Sequence, residues 1–317
     1  MYSFKPEKIL KMNLKKIVVI GSANTDMVVK TEVLPSPGET KLGGVFFMNA
    51  GGKGANQAVA AARMGGSVML VTKVGNDIFG KQTIAGLLEE KINTSFVFTD
   101  KAAPSGVALI MVNDKGENCI AVAPGANARL RPADIERVTY ITDAEIILIQ
   151  LEIPMETVEL VARMAKQNGQ QLIINPAPAQ KLEDEVLKDL FLITPNETEA
   201  SLLTGIKVTD EASASQAADF FLDKGVQNVI VTMGSAGAYF QNSRLKIKVD
   251  APMVQAVDTT AAGDTFSGAL AVAISEMYDW DEAIGFAVEA ASLSVTRLGA
   301  QASIPYRNEL KNFMTSA

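Results

Sequence analysis

DTTAAGDTFSGAL, residues 258–270, passes from small residues through a glycine into a helical pattern, with Phe266, Leu270, Ala273 or Ile274 and Met277 recurring at three- and four-residue steps. The spacing predicts an amphipathic helix beginning near Ala262 or Gly263. Its first turn has backbone N–H groups without intrahelical partners and the positive end of the helix dipole, which together make an anion site. Ala261, Ala262 and Gly263 carry almost no side chain, so an oxygen-rich group can approach those donors. Asp264 lies inside the same turn, where an ionised carboxylate can take a proton from a hydroxyl held beside the anion. An acid in a first turn also stabilises a helix by roughly 0.3 to 1 kcal/mol with no chemistry attached, so the rest of the chain has to decide between the two.

At 317 residues and 48% hydrophobic content, the chain has material for one large α/β domain or two smaller ones. A formal net charge of −7, without a lysine and arginine cluster, argues against a nucleic-acid partner. One cysteine, Cys119, excludes an intramolecular disulfide and fits a reducing compartment, so the expected location is cytoplasmic. The absence of histidine removes Ser-His-Asp and Cys-His nucleophiles, HExxH zinc sites and any histidine base. Residues 1–13 have no apolar signal-peptide core and read as a mobile N-terminal extension ahead of one domain over 14–317. No apolar run approaches the roughly 18 residues of a spanning helix, which predicts a soluble protein with no membrane partner.

Residues 16–22, KIVVIGS, are a β-branched run ending in glycine, as expected of a buried parallel strand that delivers its end to a site. Asn24 and Asp26 follow two apart, so an extended chain aims both at adjacent hydroxyls of one polyol, unless an Asx-turn ends the strand. After a strand over 43–48, NAGGKGANQAVAAARMG sets glycines before a helix with Ala55, Ala58, Val59 and Ala62 on its buried face. Backbone, Lys53 and Asn56 meet at that helix start, with a solvated loop lysine as the weaker alternative for Lys53. Gly54 stands where a Walker A loop needs Ser or Thr. Strand and helix alternate over 67–73 and 77–90, and 106–113 with 118–123 form a hairpin pattern. A hairpin does not belong in the middle of a parallel sheet, so it joins the strands around 25–29 and 43–48 in a small separate sheet.

Core strands follow over 145–151, 171–175, 190–194 and 228–232, with Glu152 at the C-terminal end of the first. TPNETEA places Asn196, Glu197 and Glu199 at a strand end and first helical turn, where they either cap the helix or suit a hydrated magnesium ion. The turn over 232–237 can lay backbone against a flat or phosphorylated ligand but is not GxGxxG, and that motif is also missing after the first strand, against a nicotinamide-dependent oxidoreductase.

Taken together, AGGKGANQA near the N-terminus and DTTAAGDTFSGA near the C-terminus, with GSANTD, LEIP, TPNETEA and TRLGAQAS around them, resemble the ribokinase family of carbohydrate kinases over about residues 15–312. GGKGANQ preceded by GSxNxD is more similar to the ribose-specific members than to fructokinase-like or adenosine-kinase-like ones. The resemblance implies a doubly wound, three-layer, mostly parallel α/β sheet with a small β-sheet lid from about 25–49 and 104–125. It implies ATP-dependent phosphorylation of a ribose hydroxyl, magnesium, potassium activation and a homodimer whose lids clasp. It puts Asn24, Asp26, Gly52, Lys53, Asn56 and Glu152 on the sugar, with Asp264 as base. It assigns Asn196 and Glu199 to phosphates and magnesium, and Thr232, Gly234, Ser235, Gly237 and Gly263 to the nucleotide. Asp258, Thr260, Ser294, Arg297, Gly299 and Ser303 would surround potassium, several through main-chain carbonyls. Val288 departs from the polar residue that members often carry near adenine. Rival readings are a kinase of the same family for deoxyribose, fructose, adenosine or pseudouridine, and a sensor without turnover; the intact small-residue turn with Asp264 argues against the sensor.

Overall fold

Apolar, β-branched runs of four to nine residues become strands because both of their faces can be covered. In the computed structural model, which describes residues 16–316 apart from Tyr140, the chain begins with β1 (Lys16–Ile20), β2 (Asn24–Thr31), β3 (Val45–Gly51) and α1 (Lys53–Arg63). Then come β4 (Ser67–Gly75), α2 (Ile78–Glu89), β5 (Asn93–Asp100), β6 (Gly106–Asn113), β7 (Asn118–Ala123) and the short α3 (Pro132–Ile135). The middle holds β8 (Ile146–Ile149), α4 (Met155–Asn168), β9 (Gln171–Ile174), α5 (Asp184–Leu187), β10 (Leu192–Ile193), α6 (Glu197–Thr204) and α7 (Glu211–Asp223). The last part is β11 (Asn228–Thr232), β12 (Ala238–Asn242), β13 (Lys246–Val249), α8 (Ala262–Ser275), α9 (Trp280–Ser294) and α10 (Arg307–Ser316). The extension expected over residues 1–13 lies outside the described residues.

Nine strands form one sheet in the order β13-β12-β11-β10-β9-β8-β1-β4-β5. The pairs from β11 to β5 are parallel, and β12 and β13 add an antiparallel edge. Alternate strand residues bury to opposite sides: Ile17, Val19, Ile146 and Leu148 with α1, α8 and α9, and Val18, Ile20, Ile147 and Ile149 with α4 and α7. The sheet is therefore the middle of three layers. The chain winds outward from β1 in both directions, so β1 and β8 flank the topological switch where such sheets bind ligands.

The remaining strands form a four-stranded sheet, β3-β2-β6-β7. Both of its faces carry exposed apolar side chains, Phe46, Met48 and Leu109 on one and Val45, Phe47, Ile120 and Val122 on the other, all 40% to 65% exposed.

Two expectations change. No strand was expected between residues 90 and 106, yet β5 pairs with β4 there and forms the sheet edge. The helix expected to be amphipathic, α8, is buried on all sides, every residue from Asp264 to Ser275 included. Small residues make this close packing feasible. A Cβ on Gly268 would lie 2.6 Å from both the Ala60 Cβ and the Gln57 carbonyl oxygen of α1. Among the described residues, no helix is long and apolar enough to cross a membrane.

Candidate active site

The site lies at the C-terminal ends of β1, β8, β9, β10 and β11, closed on one side by α1 and α8. Asp264 is 5% exposed in the first turn of α8. Its two carboxylate oxygens each accept one amide hydrogen bond from α1: Asn56 Nδ2 donates to Oδ2 and Gln57 Nε2 to Oδ1, both at 2.9 Å. The expected turn is open, since a Cβ on Gly263 would meet nothing within 4 Å. Ala262 N–H makes a long contact of 3.3 Å with the Thr259 carbonyl. The N–H groups of Gly263 and Asp264 have no partner among the described residues, so they are the stronger anion donors. Ala261, the residue before the helix, holds a left-handed φ of 60° that alanine adopts at an energetic cost.

The expected sugar residues converge on the neighbouring wall. Asn24 and Asp26 stand on the same face of β2, 6% and 9% exposed. Asn127 Nδ2 donates to Asn24 Oδ1 at 2.7 Å, which leaves the Asn24 amide N–H groups as its outward donors. Among the described residues no group donates to the Asp26 carboxylate. Burial, aided by the charges of Glu152 and Asp264, raises its pKa to about 6. The Asn56 Oδ1 is likewise buried without a partner. Glu152 Oε2 accepts from Ser22 Oγ at 2.5 Å and from the Lys53 main-chain N–H at 3.1 Å. Gly52 has φ 87° and approaches the Asn24 backbone so closely that a Cβ would lie 2.6 Å from its nitrogen. The Asp264 charge raises the pKa of Lys53 against the effect of burial, with smaller contributions from Glu152 and Glu199.

A cleft lined by Lys53, Asn196, Glu199, Thr232 and Ala261 to Asp264 continues from there. Asn196 and Glu199 form a reciprocal capping box, Glu199 N–H to Asn196 Oδ1 at 2.8 Å and Asn196 N–H to Glu199 Oε2 at 2.9 Å. The capping reading is borne out, and the cap orients two groups that also line the cleft. Burial raises the Glu199 pKa, opposed by the hydrogen bonds from Asn196 and by the Lys53 charge. Gly234 and Ser235 lie on the exposed turn beyond Thr232. Gly237 serves packing, since a Cβ there would lie 2.0 Å from the Val249 carbonyl. Val288 is 5% exposed and packs in the core layer.

Behind the α8 turn, Asp258 joins the two loops expected to hold potassium, accepting from Thr260 N–H and Gly299 N–H, both at 2.9 Å. Burial pushes the Asp258 pKa up, but these hydrogen bonds outweigh it and hold the carboxyl below its ordinary range. The hydroxyls of Ser294 and Ser303 each donate at 2.8 Å to a carbonyl of their own turn, and Arg297 pairs with Glu309 at 2.7 Å. What this region can offer an ion is thus main-chain carbonyls and one carboxylate, a donor set suited to a hard monovalent cation. Among the described residues, no group of three or more His, Cys, Asp or Glu is placed to hold a metal.

Residue-by-residue reading missed Ser22, Gln57, Asn127, Gln150 and Asn175. Gln57 and Gln150 did leave a signal, as polar residues inside or at the end of apolar runs. Asn127, in the loop after the hairpin, left none.

Residues 14–307 match the model of the pfkB family carbohydrate kinases. The chain is 43% identical to a ribokinase of Haemophilus influenzae over 96% of its own length and 99% of the relative's. It is 39% identical to a deoxyribokinase of Salmonella typhimurium, over 94% and 98% of the two chains. The solved structure of a ribokinase of Arabidopsis thaliana complexed with ribose and ATP superposes with a TM-score of 0.87 at 35% identity, covering 95% and 98% of the two chains. With the nine-stranded sheet, its small companion sheet and the Asp264 turn in place, the chain belongs to the pfkB family of carbohydrate kinases, as a phosphotransferase of the ribokinase type.

Proposed function

We propose that this kinase transfers the γ-phosphoryl group of ATP to the 5-hydroxyl of D-ribose, giving ribose 5-phosphate and ADP. The observation that carries the reading is a set of buried acceptors without protein donors, the Asp26 carboxylate and the Asn56 Oδ1, beside a clamped carboxylate and open helix N–H groups. Buried acceptors of this kind call for a ligand rich in hydroxyls. Asn24, Asp26, Gly52, Lys53, Asn56 and Glu152 hold the sugar in this reading.

Asp264 takes the proton of the attacking hydroxyl as its oxygen bonds to the γ-phosphorus, and the bond to the ADP oxygen breaks. Phosphoryl transfer asks mainly for positioning and for stabilisation of spreading negative charge. The N–H groups of Ala262, Gly263 and Asp264 supply that stabilisation, each worth on the order of 10² to 10³ in rate when well aimed. Asn196 and Thr232, with Gly234, Ser235 and Gly237 beyond, lie toward the nucleotide. Glu199 would hold magnesium, through water, and the ion would neutralise phosphate charge. Carbonyls of the two loops tied by Asp258 would hold potassium behind the turn. The exposed apolar face of the small sheet would pair with a second copy, giving a cytoplasmic homodimer.

A second reading, 2-deoxyribose as acceptor, is favoured by the likeness to the Salmonella deoxyribokinase. ADP release measured across ribose, 2-deoxyribose, fructose and nucleosides, with and without potassium, separates the two. Ribose-dependent release that rises with potassium is expected. Release with 2-deoxyribose in clear preference to ribose supports the second reading, and release with a nucleoside or fructose alone overturns both.

A further inference from the structure

Gln57 and Gln150 are 0% exposed, and neither is among the residues that line the cleft. A glutamine in a helix of alanines, packed against another helix, is a costly choice unless its amide has specific partners. Gln57 has three. Its Nε2 donates to Asp264 Oδ1 at 2.9 Å and to Asn175 Oδ1 at 3.0 Å, and its Oε1 accepts from Gln150 Nε2 at 2.5 Å. Asn175 is anchored in turn by donating through Nδ2 to the Thr194 carbonyl at 3.2 Å.

The direction of this chain is fixed from one end. An ionised carboxylate only accepts, so Gln57 must turn its NH₂ toward Asp264 and its oxygen toward Gln150, and Gln150 must answer with its own NH₂. A carboxylate on a free side chain also rotates broadly about its last torsion. Two donors on its two oxygens stop that rotation. One of them, Asn56, belongs to the proposed sugar wall; the other, Gln57, lies behind the cleft lining and would not touch a ligand in it. Gly21 makes room for the arrangement, since a Cβ there would sit 2.0 Å from the Gln150 Oε1.

We infer that Gln57 is a positioning residue for the phosphoryl transfer, holding the Asp264 carboxylate in its working orientation, with Gln150 setting the orientation of the Gln57 amide. The inference rests on Asp264 acting as the base. Gln57→Met keeps the length and apolar packing of the side chain and removes both donors. Its kcat falls by roughly tenfold to a hundredfold, the scale of a misplaced reacting group, while KM for ribose and ATP stays within about twofold. Gln150→Met, one step further out, lowers kcat by about threefold to tenfold on the same grounds.

The decisive measurement repeats both substitutions in an Asp264→Asn background. A residue that acts only through Asp264 causes no further loss of kcat there, whereas a general packing defect costs the same factor in either background. Unchanged kcat in Gln57→Met, an equal loss in both backgrounds, or a rise in KM in place of the fall in kcat overturns the inference and leaves the base untouched. Near-normal turnover of Asp264→Asn alone overturns the base, and the inference with it. If Gln57→Met does not fold, Gln150→Met carries the test, and full kcat in that variant overturns the inference.

Discussion

The two walls of the cleft are built to different standards. The phosphoryl wall, at the start of α8, is set in a helix buried from Asp264 to Ser275 and pinned by amides from α1. Part of the expected sugar wall, Asn24 and Asp26, rides on β2 of a four-stranded sheet whose far face leaves Phe46, Met48 and Leu109 about half exposed. The first wall is rigid by burial. The second depends on what covers it, and it contains a carboxylate, Asp26, that burial holds above its ordinary range. In the proposed reaction, the reacting group is held fixed while part of the sugar wall sits on a separately packed sheet.

The sharpest way to break this comparison is Asp264→Asn. A loss in kcat of between about 10² and 10⁴, with ribose affinity little changed, is expected in steady-state kinetics. Turnover close to that of the parent would reduce the phosphoryl wall to a capped helix.

Asp26 tests the other wall through pH. Sugar hydroxyls donate to its ionised form, so KM for ribose rises as pH falls through about 6, by up to about tenfold per pH unit. The stability effect has the opposite sense. The folded-state value lies above the ordinary 3.8, so the folded chain binds this proton more tightly, and stability from this group falls as pH rises from 3.8 to about 6. Asp26→Asn should therefore weaken ribose binding yet raise stability at pH 7.5, by on the order of 1 to 3 kcal/mol, with little gain at pH 4. Equal melting temperatures at pH 7.5 would count against a strained sugar wall.

Phe46→Glu places a charge on the uncovered sheet face. If that face joins two copies, sedimentation should show the mass halved and ribose KM raised several-fold; an unchanged mass would mean that the face is covered in some other way. The smallest effect is expected for Ala261→Gly. Relief of the left-handed strain and the added freedom of glycine offset each other to within about 1 kcal/mol, as chemical denaturation would show.

Much of this was legible in the sequence. The β-branched runs at β1, β8, β9 and β11 end at residues that reach the site, and the hairpin of β6 and β7 could only belong to a second sheet. The start of α8 was legible because small residues and an acid have local meaning there. Its burial was not, since the Phe266 and Leu270 periodicity says nothing about what packs on the opposite side. β5 escaped because NTSFVFTD is half polar and half buried, as an edge strand tends to be. The amide clamp escaped for a different reason: Gln57 and Asp264 are 207 residues apart and meet only after both helices dock. Glu199 was legible as either a cap or a site residue, and only the folded chain could show that the capping carboxylate also lines the cleft.

Gly268 has a consequence of its own. With hydrogen alone standing between α1 and α8 at that point, the reach from the proposed sugar groups on α1 to the Asp264 carboxylate is gauged by a missing methyl. A larger residue would act as a shim, widening the gap between two otherwise complete halves of the catalyst, and evolution could retune or silence this enzyme there without altering any residue that touches its substrates.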